Sequence, residues 1–114
     1  MKRANRYNKH PVEFMGEKFD SRKEAERYAV LLDMQRAGKI RGLETQAEIV
    51  LLDAFKLNGR KYRKTSYLAD FHYFTDDGRE VWEDVKSPAT RADRVYQLKR
   101  KLAAWRGYEI TEIM

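Results

Sequence analysis

Two strand-like segments joined by a short turn constrain the fold of this chain more than any other feature. Residues 66–74 and 80–86 are rich in aromatic and β-branched residues, which favour strands. The loop at 76–78 has the sequence Asp-Asp-Gly, and a three-residue loop ending in glycine is typical of a hairpin with a type I turn and a bulge. The pattern therefore predicts an antiparallel hairpin in which Thr75 pairs with Arg79.

This register brings Asp70 directly opposite Asp84. Opposed residues on neighbouring strands have Cβ atoms roughly 4.5–5.5 Å apart, and two carboxylates at that separation repel each other unless a cation or a proton lies between them. Because strand side chains alternate between faces, Lys86 falls on the same side as Asp84. Glu83 points to the other face, where pairing with a basic residue is expected. The three charged groups on one face indicate a metal-dependent phosphodiesterase site.

Two alternatives compete with this interpretation. A two-residue loop of Asp77 and Gly78 would shift the register by one and turn Asp70 to the face opposite Asp84. A solvated hairpin face, whose acids pair with nearby Arg and Lys, also explains any single acid in a chain with 37% charged residues. It accounts less well for the whole set.

Composition restricts the class of protein. A chain of 114 residues is long enough for one domain with a single core and too short for a catalytic domain plus a separate recognition domain. Its 24 Lys and Arg outnumber 18 Asp and Glu, and the net charge of +6 suits a polyanionic partner. The sequence contains no cysteine, which excludes disulfides and thiolate chemistry, and its two histidines leave little for a zinc site.

The sequence carries no membrane or export signal. No apolar run is long enough to cross a bilayer, and the basic N-terminus lacks the hydrophobic stretch of a signal peptide. We therefore expect a soluble intracellular protein. Residues 1–16 are expected to form a basic, flexible N-terminal arm, which is either a phosphate-binding arm or a solvated tail, and residues 17–114 to form a single domain.

Start and stop signals mark the first half of that domain. Ser21 and Glu24 form a capping-box pattern, which predicts a first helix that ends near Gly38. Residues 47–52 are a short apolar run with β-branched members, which predicts a strand. The Asn-Gly pair at 58–59 predicts a turn.

The second half contains one more helix and one more strand. Pro88 ends the predicted hairpin, and residues 91–106 carry an apolar stripe at helical spacing. The stripe consists of Val95, Leu98, Leu102 and Trp105. We expect the tryptophan to be a core or interface residue. Residues 108–113 alternate as a half-buried strand does, so the predicted order is helix, three strands, helix, strand.

This order, with an Asp near the end of the second strand and an Asp-x-Lys in the third, resembles the PD-(D/E)xK nuclease superfamily over residues 17–113. The segments that carry the resemblance are 19–24, 67–71, 83–86 and 99–102. Within the superfamily they are similar to a group of small, largely uncharacterised phage and prophage proteins with resolvase-like and transposon-end-nuclease-like relatives. Ala69 stands where the motif has proline, a position at which the proline is often missing.

The resemblance implies an α/β (α+β) fold with a restriction-endonuclease-like core of order αβββαβ, in which helices flank a mixed central sheet. It also implies that Asp70 and Asp84 bind Mg²⁺ or Mn²⁺, because hard cations prefer carboxylate oxygens. Lys86 would orient or deprotonate the attacking water, or offset charge building on the phosphate.

Two further residues are assigned to the site by resemblance, each with an alternative. Glu24 is expected to be a third metal ligand, since related nucleases place a first-helix glutamate beside the metal; its place in the capping box with Ser21 could account for it equally simply. Gln46 precedes the first strand where the related phage proteins often carry Gln, and it is either a site residue or a surface amide.

The expected partner is DNA, with branched DNA favoured because a single small domain more plausibly recognises shape than a long sequence. Phosphate contacts are expected from Lys61, Arg63, Arg94, Lys99 and Lys101. The resulting hypothesis is a Mg²⁺-dependent, structure-selective DNA endonuclease that acts in phage or prophage processes in the cytoplasm of a bacterial host, as a homodimer or with a partner protein. The alternatives are a non-catalytic nucleic-acid-binding module and an assembly subunit.

Overall fold

The computed structural model describes residues 12–114. Its elements in chain order are β1 (Val12–Phe14), β2 (Glu17–Phe19), α1 (Arg22–Arg36), β3 (Ile40–Leu52), β4 (Phe55–Leu57), β5 (Arg60–Tyr62), β6 (Thr65–Thr75), β7 (Glu80–Val85), α2 (Pro88–Arg91), α3 (Arg94–Trp105) and β8 (Ile110–Ile113). Apart from the two small hairpins and α2, these elements follow one another as helix, three strands, helix and strand.

Four strands form the central sheet in the order β3-β6-β7-β8. The pairs β3–β6 and β6–β7 are antiparallel, whereas β7 and β8 are parallel. A parallel pair needs a crossover connection, and α2 and α3 supply it. With α1 packed on one face of the sheet and α3 on the other, the predicted mixed sheet flanked by helices is confirmed.

The turn between β6 and β7 has the predicted three-residue form. Thr75 N–H donates to the Arg79 carbonyl at 2.8 Å, and Gly78 N–H donates to the Thr75 carbonyl at 2.9 Å. Gly78 has φ +86°, a conformation that residues with a Cβ rarely adopt. Phe71 pairs with Glu83, so the two-residue alternative does not occur and Asp70 falls across from Asp84.

Two separate hydrophobic cores hold the helices to the sheet. The first lies under α1 and contains buried Leu31 and Phe71. The second lies under α3 and contains buried Ile49 and Ala103. Each helix therefore packs on the sheet through its own hydrophobic core, and the sheet between the helices fixes the positions of the strand side chains.

Strand β6 changes face at Asp70. Tyr67 and Ala69 belong to the core under α3, while Phe71 and Tyr73 belong to the core under α1. Residues two apart in a regular strand point to the same face, so the alternation must break between positions 69 and 71. The break leaves Asp70 at the point where the sheet passes from one core to the other.

The first strands differ from the sequence-based boundaries. The β1–β2 hairpin, in which Val12 pairs with Phe19, includes residues that the prediction assigned to the N-terminal arm of residues 1–16, and Val12 and Phe14 pack against the first core. The boundary after residue 16 therefore passes through this hairpin. Residues 1–11 of the predicted arm lie outside the described residues. Strand β3 begins at Ile40, not at residue 47.

The second helix also differs from its prediction. Pro88 occupies the first turn of the short helix α2, capped by Ser87, because proline fits a helix start. Helix α3 buries Ala103, whereas Val95, Leu98 and Trp105 are exposed. Trp105 was expected in the core or at an interface, and the core is excluded because 80% of its surface is exposed. In residues 12–114, no helix is both long and apolar enough to cross a membrane.

Candidate active site

Strands β6 and β7 separate at Asp70 and Asp84, and side chains replace the backbone hydrogen bonds there. Asp70 N–H donates to Asp84 Oδ1 at 2.9 Å, and Val85 N–H donates to Asp70 Oδ2 at 2.8 Å. Each carboxylate therefore takes the place of a backbone acceptor on the opposite strand. This arrangement fixes both side chains rigidly, because a charge-assisted hydrogen bond holds one oxygen of each.

Asp84 is the most buried acid of the site, with 1% of its surface exposed. Its Oδ2 atom is buried and accepts no hydrogen bond within the described chain. The nearest cation is Lys86 Nζ at 3.6 Å, which is too far for a good hydrogen bond. Burial raises the pKa of Asp84, the charge of Lys86 opposes this shift, and nearby Glu112 adds to it.

Lys86 lies on the same side as Asp84, as predicted. Its Nζ is 4.3 Å from the centre of the Tyr96 ring, so the aromatic face also attracts the ammonium. Tyr96 donates its hydroxyl hydrogen to Glu112 Oε2 at 2.5 Å, and Arg100 approaches the same carboxylate at 3.2 Å. Helix α3 and strand β8 together therefore hold Lys86 beside the acid.

Glu24 lies at the third position of α1 and is buried, with 5% exposed. Its N–H donates to Ser21 Oγ at 3.2 Å, so the Ser21 half of the predicted capping box is formed. The Glu24 side chain lines a pocket of about 170 Å³ together with Asp20, Asp70 and Lys86. The fold thus brings Glu24 to the same pocket as two of the other predicted site residues.

Gln46 lies inside β3, not before it as predicted, and opposite Asp70 of β6, since Thr45 pairs with Phe71 and Ala47 with Ala69. Gln46 is exposed and has φ +52°, the left-handed region that a residue with a Cβ seldom adopts. Both β3 and β6 are therefore irregular at the same level of the sheet, and Gln46 belongs to the same row of residues as the two aspartates.

The donor set fits a hydrated hard cation better than a preformed metal cage. Among residues 12–114, no three His, Asp or Glu side chains form a ready metal-binding cluster. Mg²⁺ is commonly bound through one or two carboxylates and keeps several waters. The buried Oδ2 of Asp84, with the Asp70 carboxylate on the adjacent strand, supplies oxygen ligands of this kind.

Glu83 lies on the opposite face, as predicted, and pairs with a base. Arg27 donates to both Glu83 oxygens, at 2.8 and 2.7 Å, and the Tyr73 hydroxyl donates to the same carboxylate. Burial and this acceptor raise the pKa of Tyr73 to about 12. A larger depression of about 770 Å³ lies here, but its buried acid, Glu83, is already paired with Arg27, so we place the candidate site at Asp84.

The predicted nucleic-acid contacts divide into three locations. Lys99 lines a groove of about 390 Å³ with Asp84 and Lys86, so it alone of the five borders the site. Arg94 and Lys101 lie on the exposed surface of α3. The remaining two are Lys61, in β5, and Arg63, which directly follows β5.

The hairpin of β4 and β5, residues 53–64, is called the wing below, and all six of its strand residues are exposed. The rings of Phe55 and Tyr62 stack across it at 4.7 Å. Lys56 and Lys61 form a directly opposed pair, which is unfavourable between like charges. A polyanion would relieve that repulsion.

Sequence reasoning did not identify Tyr96 and Glu112 as neighbours of the catalytic candidates. Glu112 lies beside Asp84 because β8 pairs in parallel with β7, with Asp84 opposite Glu112. The strand order could not be derived from the pattern of residues. The alternation of residues 108–113 indicated a strand, without indicating its neighbour.

The profile of one protein family, DUF1064, described as a protein of unknown function, matches residues 4–113. The matched range includes every candidate site residue. No curated protein matches the chain, and no solved structure matches it.

Proposed function

We propose that this chain, which belongs to the DUF1064 family, is a divalent-metal-dependent endonuclease that hydrolyses phosphodiester bonds in DNA. The observation that carries the proposal is the Asp84 carboxylate. It is buried, its Oδ2 accepts no hydrogen bond within the described residues, and Lys86 lies 3.6 Å away. A folding role accounts for Oδ1, which accepts from Asp70 N–H, but it gives no reason to bury Oδ2 without a hydrogen bond, since that costs stability.

The order of the core elements supports the proposed resemblance to the PD-(D/E)xK superfamily with a restriction-endonuclease-like core. In that resemblance Asp70 and Asp84 are the metal ligands and Glu24 the third acid. Glu24, Asp70 and Lys86 line one pocket and Asp84 lines the neighbouring groove, with Lys86 common to both. The proposed phage or prophage process, and the bacterial cytoplasm as its location, rest on the resemblance alone.

A divalent cation at these acids would supply positive charge to the phosphoryl oxygens and make a nearby water more acidic. Asp70 and Asp84 would hold the cation, and their hydrogen bonds to the opposite strands keep both carboxylates oriented. Lys86 Nζ would orient or deprotonate the attacking water, or offset charge on the phosphate. The raised pKa of Asp84 reflects burial of a charge that a bound cation would stabilise.

Substrate contacts would come from the groove and the wing. Lys99 borders the groove beside Asp84, where it can reach a phosphate adjacent to the one attacked. Lys61 and Arg63 add positive charge at the wing. Two such contact regions on one small domain favour DNA of a particular shape, such as a branch or a flap, over a long recognition sequence. A homodimer or a partner protein would align two cuts.

The test is cleavage of labelled linear, flapped and four-way-junction DNA by the wild type and by Asp84→Ala, in Mg²⁺, Mn²⁺ or EDTA. We expect cleavage that requires metal and is lost in the variant, while circular dichroism shows that both proteins are folded. The proposal fails if the folded wild type binds these DNAs equally with and without metal and cuts none of them. That outcome would favour a non-catalytic binding module or an assembly subunit.

A further inference from the structure

Helix α3 exposes an apolar stripe that begins at Val95, beside the groove of Asp84, and continues away from it through residues that the nuclease proposal does not use. Val95 is 62% exposed, Leu98 56% and Trp105 80%, and Leu102 is half-buried. These residues are separated by three, four and three positions, which is the spacing of the a and d positions of a coiled coil. On a helix of this length the stripe is ~15 Å long.

Leaving these apolar side chains exposed to water is unfavourable unless another molecule covers them. Scattered apolar surface residues are ordinary, whereas a contiguous row marks an interaction site. An indole is among the side chains that contribute most to interfaces, and Trp105 projects from the last turn of α3. The stripe lies to one side of the face that packs on the sheet, since Ala103 and Tyr96 belong to that packed face.

Every position that flanks the stripe is basic. If Val95 and Leu102 are a positions, the flanking e and g positions are Arg94, Lys99, Lys101 and Arg106. In coiled coils these positions select the partner by charge. A complementary helix therefore needs apolar residues at its own a and d positions and acidic residues at e and g.

Two other occupants fit poorly. A second copy of α3 would bring basic flanks against basic flanks. The first 11 residues of the chain contain four Lys or Arg and no acidic residue, so they carry the wrong charge as well. DNA matches the charge of the flanks, but it would leave Leu98 and Trp105 against a polyanionic surface.

We infer that α3 is a docking surface for an acidic amphipathic helix of a partner protein. The partner would lie along the stripe, with Trp105 as its main anchor and its carboxylates beside Arg94 and Lys101. This inference does not depend on catalysis, because the stripe residues Leu98 and Trp105 have no role in the proposed site.

The probe is a labelled synthetic helix of three heptads with leucine at a and d and glutamate at e and g. Its control has the same sequence with lysine at e and g. Binding is measured by anisotropy with the full chain, and tryptophan fluorescence reports the environment of Trp105. We expect saturable binding of the acidic helix and at least about tenfold weaker binding of the basic one.

The variants Leu98→Glu and Trp105→Glu are expected to weaken binding of the acidic helix by about tenfold or more. The matched control is Val30→Glu, because Val30 is an exposed apolar residue of α1 and should leave binding unchanged. Circular dichroism and thermal unfolding establish that all three variants are folded.

Equal binding of the two peptides, or binding of neither, would overturn the inference. So would a wild-type dimer in sedimentation that Leu98→Glu dissociates, since the occupant would then be a second copy. Loss of junction-DNA binding in Leu98→Ala, which adds no negative charge beside Lys99, would identify DNA as the occupant instead. Each of these outcomes is independent of whether the chain cleaves DNA.

Discussion

Asp70 and Asp84 are held by two hydrogen bonds that cross between their strands: Asp70 N–H donates to Asp84 Oδ1 at 2.9 Å, and Asp70 Oδ2 accepts from Val85 N–H at 2.8 Å. The opposed acids therefore do not simply repel each other. Each is anchored to a backbone donor through one oxygen. The second oxygen of Asp84 remains buried and accepts no hydrogen bond in the described part of the chain.

The first prediction concerns Asp84→Asn. The amide keeps an oxygen that can accept from Asp70 N–H and removes the charge, so the fold should be retained. Loss of a metal ligand should lower the cleavage rate by about a hundredfold or more. The rate is measured on labelled junction DNA with Mg²⁺, and Asp33→Asn, at an exposed position of α1, is the control. A variant that cleaves as fast as the wild type would contradict the assignment.

Metal binding should also be visible as stability, without any cleavage assay. A ligand that binds only the folded state raises its stability by mass action, so Mg²⁺ or Mn²⁺ should raise the melting temperature of the wild type. The increase should be absent in Asp84→Asn. In EDTA two effects oppose each other, because the variant loses the desolvation cost of a buried charge and leaves Lys86 without its partner. The quantity compared is therefore the increase that metal causes in each protein. Equal stabilisation of both proteins by metal would argue against Asp84 as a ligand.

Lys86→Arg separates charge from proton transfer. Arginine keeps the positive charge and can still stack on the Tyr96 ring, but it does not release its proton. If Lys86 transfers a proton, the variant should lose about as much activity as Lys86→Ala, with little change in DNA affinity. Single-turnover rates and binding titrations measure the two effects. Near-normal rates in Lys86→Arg would restrict the role of Lys86 to charge stabilisation.

Glu24 has two explanations that a pair of variants can distinguish. Ser21→Ala removes the cap that Glu24 N–H donates to, and should lower the free energy of unfolding by about 1 kcal/mol without affecting the cleavage rate of the folded protein. Glu24→Gln should do the opposite, lowering the rate and leaving stability nearly unchanged. Urea unfolding and single-turnover cleavage measure these quantities. An unchanged rate in Glu24→Gln, with stability retained because glutamine also completes a capping box, would assign Glu24 to the helix cap.

The buried pair on the other face should matter for folding and not for chemistry. Arg27→Met leaves the Glu83 carboxylate buried without its base, and should lower the free energy of unfolding by about 3 kcal/mol. Arg27→Met combined with Glu83→Leu should recover part of that loss, because no charge is then left unpaired, while the buried Tyr73 hydroxyl loses its acceptor. The unfolding free energies of the two variants are compared in urea. A double variant less stable than Arg27→Met would show that the pair itself is strongly stabilising.

The sequence alone determined the local features. The Asp-Asp-Gly loop set the turn and hence the register of Asp70 and Asp84, because a three-residue loop with glycine at the left-handed position allows one pairing. Alternation along β7 then brought Lys86 to the side of Asp84 and Glu83 to the other. The cap at Ser21 likewise marked where α1 begins. Each of these depends on residues close together in the chain.

Tertiary structure decided the rest. The parallel pairing of β8 with β7 brought Glu112 beside Asp84, and the packing of α3 brought the Tyr96 ring under Lys86. Helix α3 also turned Ala103 toward the sheet and left Trp105 exposed. The apolar stripe in its sequence had predicted a different face to be buried. Hydrophobic periodicity shows which residues can be buried together, but which face of a helix is covered depends on the space that the sheet and its neighbours leave. That is a property of the assembled fold.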